Sequence, residues 1–296
     1  MNKLPLQTRV QILSMLCEGS SMRSISRVAD VSINTVAKLL VDAGKACATF
    51  HDSVVRGVKA KRVQVDEIWS FTAAKQRNVA GMKRAVKGAG DTWTWTALDA
   101  DSKLIVSYLV ADRSWISARL FMLNVAARLA NRVQLTSDGH RPYLSAVVGA
   151  FGQEVDYAQL DKIYGAPREN PARYSPAICI GAKRRPRIGS PDPDKISTSY
   201  VERSNLTMRM HMRRFTRLTN AFPKKFENHA HMVALYTVWY NFVKQHKTLK
   251  GLSPAMAAEI DDHLWSMTDL AEMIDARLPK PEKRGPYKMQ AAQISN

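Results

Sequence analysis

Three acidic residues stand out by their placement. Asp66 lies inside the alternating run Val63-Gln64-Val65-Asp66-Glu67-Ile68-Trp69-Ser70-Phe71. Asp138 closes a short apolar run from Val133 to Thr136, one residue before a glycine. Glu202 opens a helical segment in which Arg209, two turns on and on nearly the same face, could hold a phosphate, and Arg203, Arg213 and Arg214 widen this DNA-binding stripe, with a solvated basic face as the alternative. An ionised carboxylate within an apolar strand costs free energy unless it is paired or bound to a cation. The two-residue period of a strand puts Asp66 on the face of Gln64 and Ile68, opposite Val63, Val65 and Glu67. If the three carboxylates met at one point, they would suit hard Mg²⁺ ions, which take oxygen ligands. A pair of such ions about 3.5–4 Å apart activates an attacking hydroxyl and stabilises a leaving oxygen in phosphoryl transfer. Each acid also has an ordinary role open to it: Asp66 could pair with an arginine, Asp138 could cap a turn, and Glu202 could complement a helix N-terminus. Glu67 and Asp99 are reserve carboxylates, less suited by strand phase and turn position.

The elements that must position these acids begin at Arg62. Val63 to Phe71, Thr92 to Leu98 and Leu104 to Val110 read as three strands, joined by a long polar loop from Lys75 to Gly90 and a turn at Asp99 to Ser102. A helix capped by Ser114, a strand from Val133, a helix from Pro142 to Phe151 and a strand from Val155 to Leu160 follow. Three consecutive strands followed by helix-linked ones describe an α/β mixed sheet with helices on its faces, as in the ribonuclease H-like fold. Six prolines and the run Lys183-Arg184-Arg185-Pro186-Arg187 make residues 161–198 read as an exposed basic insertion, either one that touches DNA phosphates or a disordered, solvated one. Helices from Ser199 to Arg217 and from Phe226 to Lys247 close this domain, 62–250. An amphipathic piece from Pro254 to Ala276 and a loose basic tail make up 251–296.

Ahead of the strands, residues 1–50 read as an all-α helix-turn-helix domain, followed by a basic linker at 51–61. Leu6, Val10, Leu13 and Leu16 recur at helical spacing, Met22 to Ala29 fits a short helix, and Ser32 caps a third through Val36 and Leu40. This order buries Ile25 and Val31 in an elbow and leaves Ser32, Asn34, Thr35 and Lys38 to face a major groove. A plain three-helix bundle is the alternative, and the charge of the chain favours DNA: 44 Lys and Arg against 26 Asp and Glu give a net charge of +18.

Cys17, Cys47 and Cys179 form no C-x-x-C pair and no even disulfide set, so a zinc site is not expected. His229, His231 and His246 lack a companion ligand at metal spacing, and Trp69, Trp93 and Trp95 read as core. His140, beside Asp138, reads as a local hydrogen-bonder, with a general base or a DNA contact as the alternative. No run approaches the ~18 apolar residues of a membrane span, and no leader is evident, which points to the cytoplasm.

The segments V-D-E-I-W-S-F around Asp66, T-S-D-G-H-R-P-Y around Asp138 and Y-V-E-R-S-N-L-T-M-R-M-H-M-R-R-F-T-R-L-T-N-A-F-P-K-K around Glu202 resemble insertion-sequence transposases of the IS-one family. The third segment is the most specific, and the likeness spans roughly residues 5 to 250. The resemblance implies a ribonuclease H-like enzyme with Asp66, Asp138 and Glu202 as a DDE catalytic triad. It implies Arg209 as a conserved basic position and Ser32 to Val41 as the DNA-reading helix. It further implies recognition of terminal inverted repeats, Mg²⁺-dependent cleavage and strand transfer with Mn²⁺ as a substitute, and action as a homo-oligomer on DNA in a prokaryotic cytoplasm. Many members carry a zinc-binding segment of paired cysteines, and this sequence has no such pair. A catalytically silent DNA-binding regulator and a structure-selective nuclease are the competing readings; a groove-reading N-terminal segment argues against the second.

Overall fold

The computed structural model describes residues 3–84, 86–165, 178–216 and 220–278. It opens with three helices, α1 (Leu6–Cys17), α2 (Met22–Val28) and α3 (Ile33–Val54). Ser21 and Ser32 cap α2 and α3, their hydroxyls accepting the backbone N–H of Ser24 and Asn34. The tight turn between these helices passes through Asp30 at φ 49°, a left-handed conformation that aspartate tolerates. Ile25 is fully buried at the elbow, whereas Val31 is only partly covered. Residues 51–54, expected to begin a linker, are instead the last turn of α3. His51 explains this: its ring is buried and Nε2 hydrogen-bonds the Ile105 carbonyl, 3.1 Å away. Val55, Val58 and Ala60 are buried as well, so most of the expected linker is held by packing.

Next come β1 (Arg62–Thr72), the short α4 (Gln76–Val79), β2 (Gly90–Asp99), β3 (Ile105–Ala111) and α5 (Trp115–Ala126). Then follow β4 (Gln134–Asp138), α6 (Pro142–Phe151), β5 (Asp156–Tyr164) and β6 (Cys179–Ile188). The strands form one mixed six-stranded sheet in the order β3-β2-β1-β4-β5-β6. The first three pair antiparallel, β1–β4 and β4–β5 are parallel, and β5–β6 is antiparallel.

The region expected to be an exposed insertion therefore needs correction. β5 continues through Asp161 to Tyr164, and β6 pairs with it across Pro186. β6 is the edge strand, where a proline's missing N–H need not cost a ladder bond, and its solvent-facing Lys183, Arg184 and Arg185 give it a loop-like composition. Residues 166–177 of the expected insertion lie outside the described residues.

Two further helices cover the opposite sheet face from α5 and α6: α7 (Ser199–His211) and α8 (Phe226–Val238). The alternation of β1 assigns the faces. Gln64 and Ser70 bond to α7 and α8, while Glu67 bonds to Tyr143 of α6. α7 stops short of the expected Arg217 because Met212 is extended, and a 3-10 turn, Arg213–Phe215, follows. Arg217 itself is outside the described residues. α8 gives way to a π turn at Trp239–Val243, short of the expected Lys247.

The piece expected as one helix from Pro254 is two, α9 (Pro254–Ala257) and α10 (Met267–Arg277). Glu259 adopts φ 56°, and Ser266 with Asp269 starts α10 with a reciprocal capping box. The basic tail from 279 onward lies outside the described residues. α3 crosses α8 at backbone contact: a Cβ on Gly44 would sit 2.3 Å from the Cβ of His231. One buried cluster runs from Ile12 and Leu40 through Val65 and Trp95 to Leu235, Phe242 and Ile274, so α1–α3 share their core with the sheet and its helices. Among the described residues, no helix is long and apolar enough to cross a membrane.

Candidate active site

The pairing of two central strands brings the first two acids together. β1 and β4 run in parallel register from Arg62↔Gln134 to Val65↔Ser137, so the next step sets Asp66 beside Asp138. β4 ends there, while β1 continues. Asp138 thus stands at an open strand end, where ligands of α/β sheets collect. Glu67 comes round from the opposite face of β1, and carboxylate oxygens of Asp66, Glu67 and Asp138 all lie within 4.8 Å of one another. Gly139 lets the chain pass close against β5, since a Cβ at this position would sit 2.2 Å from Asp161 Oδ1.

Glu202 arrives on α7. Gln64 Oε1 accepts the backbone N–H of Tyr200 at 2.9 Å and of Val201 at 3.1 Å, satisfying donors that the first turn of a helix leaves unpaired. One turn after Glu202, Asn205 Nδ2 donates to Asp66 Oδ2 at 2.8 Å. The outcome is one cavity of about 760 Å³ lined by Asp66, Asp138 and Glu202, with Arg113, His140 and Lys162 around them. Glu202 stands apart from the tight group of three. Its carboxylate accepts from Thr198 Oγ1 and pairs with Lys162 Nζ, each at 2.5 Å.

Charge at the site is unevenly balanced. Arg113 pairs with Glu67 at 2.6 Å and stacks over Trp93, Lys162 serves Glu202, and Arg185 holds Asp161 at 2.6 Å. Asp66 and Asp138 have no dedicated cation among the described residues; Arg113 reaches Asp138 only at 3.9 Å. Burial, followed by the charges of Glu67 and Asp138, pushes the Asp66 pKa up to about 7. Glu67 is likewise raised by burial and by Asp138, against the Tyr143 hydroxyl that donates to it at 2.8 Å and against Arg113. Asn205 Oδ1 is buried without a hydrogen-bond partner among the described residues. An all-oxygen donor set, crowded and under-neutralised, fits a hard divalent cation. Asp66, Glu67 and Asp138 carry the oxygens that lie close enough to share such an ion, and Glu202 faces the same cavity.

His140 donates its backbone N–H to Asp138 Oδ1 at 3.0 Å, so Asp138 caps its own turn as well as facing the cavity. The imidazole packs edge-on against Tyr143, and its pKa is lowered by burial and by Arg113. Asp99 caps its turn through the amides of Asp101 and Ser102, away from this chemistry. His229 is buried against Ser70 rather than placed near other metal ligands. Trp95 is wholly buried; Trp69 and Trp93 are partly so. Asp261, Asp262 and His263 form a second acidic group, but it is adjacent in sequence and largely exposed.

Arg209 shares a smaller recess of about 210 Å³ with Asp66, Glu67, Glu202 and Asn205, on the helix face expected for it. Arg203 is exposed on α7. Arg213 and Arg214 leave that face with the 3-10 turn, so the expected arginine stripe is broken, and they line a different cavity. Ser32, Asn34 and Lys38 are exposed along the start of α3, Thr35 is partly covered, and Lys38 pairs with Asp42 at 2.8 Å. Sequence reasoning missed Gln64, Arg113, Tyr143 and Lys162. The signals were an amide inside an apolar strand and a tyrosine inside the motif around Asp138; Arg113 and Lys162 gave none.

No family model matches the chain, and no curated protein matches it. Among solved structures, similarity is found to the piggyBac transposase synaptic complex with hairpin DNA, at 9% identity over 94% of this chain and 73% of that one, with a TM-score of 0.36. A Mos1 transposase paired-end complex with the left transposon end gives 11% identity over 81% and 79%, with a TM-score of 0.27. The Mos1 strand transfer complex gives 13% identity over 52% of this chain and only 59% of that one, with a TM-score of 0.22.

Proposed function

We propose that the protein is a DNA transposase with a ribonuclease H-like catalytic domain, in which Asp66, Asp138 and Glu202 hold Mg²⁺, or Mn²⁺ in its place. The observation that carries this reading is the meeting of three acids, remote in sequence and borne on two strands and a helix, in one cavity at a strand end. Taken alone, each acid has a local hydrogen-bond partner that would explain it. Their joint arrival, with a charge deficit at Asp66 and Asp138, is what those partners leave unexplained.

Divalent cations bound there supply Lewis-acid activation of a water or 3′-hydroxyl and stabilise the leaving oxygen of a phosphodiester. The chain's own residues do the rest. Gln64 and Asn205 fix α7 over β1, so Glu202 and Asp66 keep their relative position. Arg113 neutralises Glu67 and limits repulsion beside Asp138. Lys162 and Arg209, both cationic and beside the carboxylates, are suited to hold the nonbridging oxygens of the scissile phosphate. Ser32, Asn34, Thr35 and Lys38 on α3 read a major groove within the terminal inverted repeats, and Lys183, Arg184 and Arg185 on β6 contact the backbone of end or target DNA. The enzyme acts as a homo-oligomer on paired ends.

The test is incubation with Mg²⁺ and a duplex ending in the inverted repeats that flank the reading frame. Wild-type protein is expected to nick and join it, and Asp138→Ala to do neither. Equal activity in both proteins, or none in wild type with any divalent metal, removes the proposal.

A further inference from the structure

A second cationic cavity lies at the seam between α1–α3 and the segment joining α7 to α8. It has a volume of about 640 Å³, and Arg23, Arg213, Arg214 and Lys224 line it together with Ser21 and Asn220. None of its lining residues is acidic. Arg214 is the unusual member. Its side chain is partly buried, and its hydrogen-bond partner among the described residues is the thioether sulfur of Met22, 3.2 Å from Nη2.

A thioether is a weak acceptor and carries no charge. Burial lowers the Arg214 pKa to about 10, with no carboxylate among the described residues to restore it. Lys224 is lowered too, by burial and then by Arg23, so these two cations lie close enough to repel each other. Holding a partly buried guanidinium among other cations without a counter-charge costs free energy. An anion entering the cavity removes that cost.

The geometry points to a phosphate site built on Arg214, in which Arg23, Arg213 and Lys224 help grip a backbone phosphate of duplex DNA. Ile33, the first residue of α3, also lines the cavity, so a phosphate held there adjoins the exposed Ser32, Asn34 and Lys38. The turn bearing Arg213 and Arg214 directly continues α7, and His211 at the end of α7 donates to the Cys17 carbonyl at 3.2 Å. A backbone contact at this seam therefore sets the register between the helix proposed to read DNA and the helix that carries Glu202. The inference rests on the transposase reading only for the carrier of the phosphate; the cavity is separate from the carboxylates.

The experiment uses the full chain as wild type, Arg214→Met, the exposed-cation double variant Arg23→Gln/Lys224→Gln, and Asp138→Ala. Thermal unfolding is followed in inorganic phosphate and in chloride at equal ionic strength. Affinity for a duplex oligonucleotide of arbitrary sequence is followed against salt. Phosphate is expected to raise the Tm of wild type and Asp138→Ala but not of the other two. Arg214→Met, in chloride, is expected to be at least as stable as wild type. Each cation variant should weaken duplex binding and lower the slope of log affinity against log salt by about one or more. A phosphate shift that survives in both cation variants overturns the site. A lost phosphate shift with an unchanged duplex slope makes free phosphate the occupant and overturns the DNA assignment. Should Arg214→Met fail to fold, the double variant decides by the same two readouts. Failure of the strand-cutting reading shows separately, as absent cleavage with these responses intact.

Discussion

Gln64 and Asp66 project from the same face of β1 and hold α7 at two points: Gln64 Oε1 accepts the Tyr200 and Val201 amides, and Asp66 accepts the Asn205 side chain. Glu202 lies between these attachments. The strand that supplies one proposed ligand therefore also positions the helix that supplies another.

Gln64→Leu removes the acceptor for two helix-terminal amides, the Val201 amide buried and the Tyr200 amide partly so. A loss of about 1–3 kcal/mol in unfolding free energy is expected from chemical denaturation. Strand cleavage should fall at least tenfold, because Glu202 loses its fixed position. Unchanged cleavage would show that α7 is placed by packing alone.

Asp66 makes the protein sensitive to pH in a definite direction when divalent cations are chelated. Its folded pKa of about 7 lies above the ordinary value of 3.8, so the folded state binds more protons between those pH values. Asp66 therefore subtracts stability as pH rises from about 4 to 7, and by a constant amount above that. Asp66→Asn should be more stable than wild type at pH 8 by on the order of a few kcal/mol, with the difference vanishing near pH 4. Denaturation curves in chelator at both pH values check this; a variant less stable than wild type at pH 8 contradicts it.

Glu67 is buried and depends on Arg113 and Tyr143 for its charge. Tyr143→Phe should cost about 1 kcal/mol of stability and leave cleavage within a few-fold of wild type. Arg113→Met should cost more, roughly 1–3 kcal/mol, and weaken Mg²⁺ dependence as Glu67 takes up a proton. Calorimetry of both variants, paired with a Mg²⁺ titration of cleavage, separates the two effects.

His229 gives the opposite pH dependence. Burial, followed by Arg214, lowers its pKa to about 3, below the unfolded value of 6.5. Its neutral form supports the fold fully above pH 6.5, and that support is lost as pH falls toward 3. His229→Asn should remove up to about 1 kcal/mol of the wild-type stability loss between pH 6 and 5, read from Tm at the two values.

Much of the site was legible because it depends on local pattern. The alternation around Asp66 fixed its face, the glycine after Asp138 marked a strand end, and the helical phase of Glu202 with Arg209 put both beside one recess. Long-range contacts were less legible. Lys162 looked like part of a proline-rich loop, since the pairing that extends β5 is made by an edge strand whose solvent-facing residues resemble a loop. Strand phase sets Glu67 on the opposite face from Asp66 and ranks it only as a reserve carboxylate, yet β4 stops beside it, so its oxygens reach those of Asp66 and Asp138 and that ranking is overturned. The first three helices did not announce how far α3 would run, because the reason is His51 meeting Ile105, 54 residues away.

The central claim is that one divalent-cation site is shared by Asp66, Asp138 and Glu202. Replacing Mg²⁺ by Fe²⁺ with ascorbate and peroxide generates radicals that break the backbone beside the bound ion, without any need for DNA. The account predicts fragments whose new ends cluster near residues 66, 138 and 202, suppressed by excess Mg²⁺ and absent in Asp138→Ala. Breaks confined to the region of Asp261, Asp262 and His263, or no localised breaks, would contradict it.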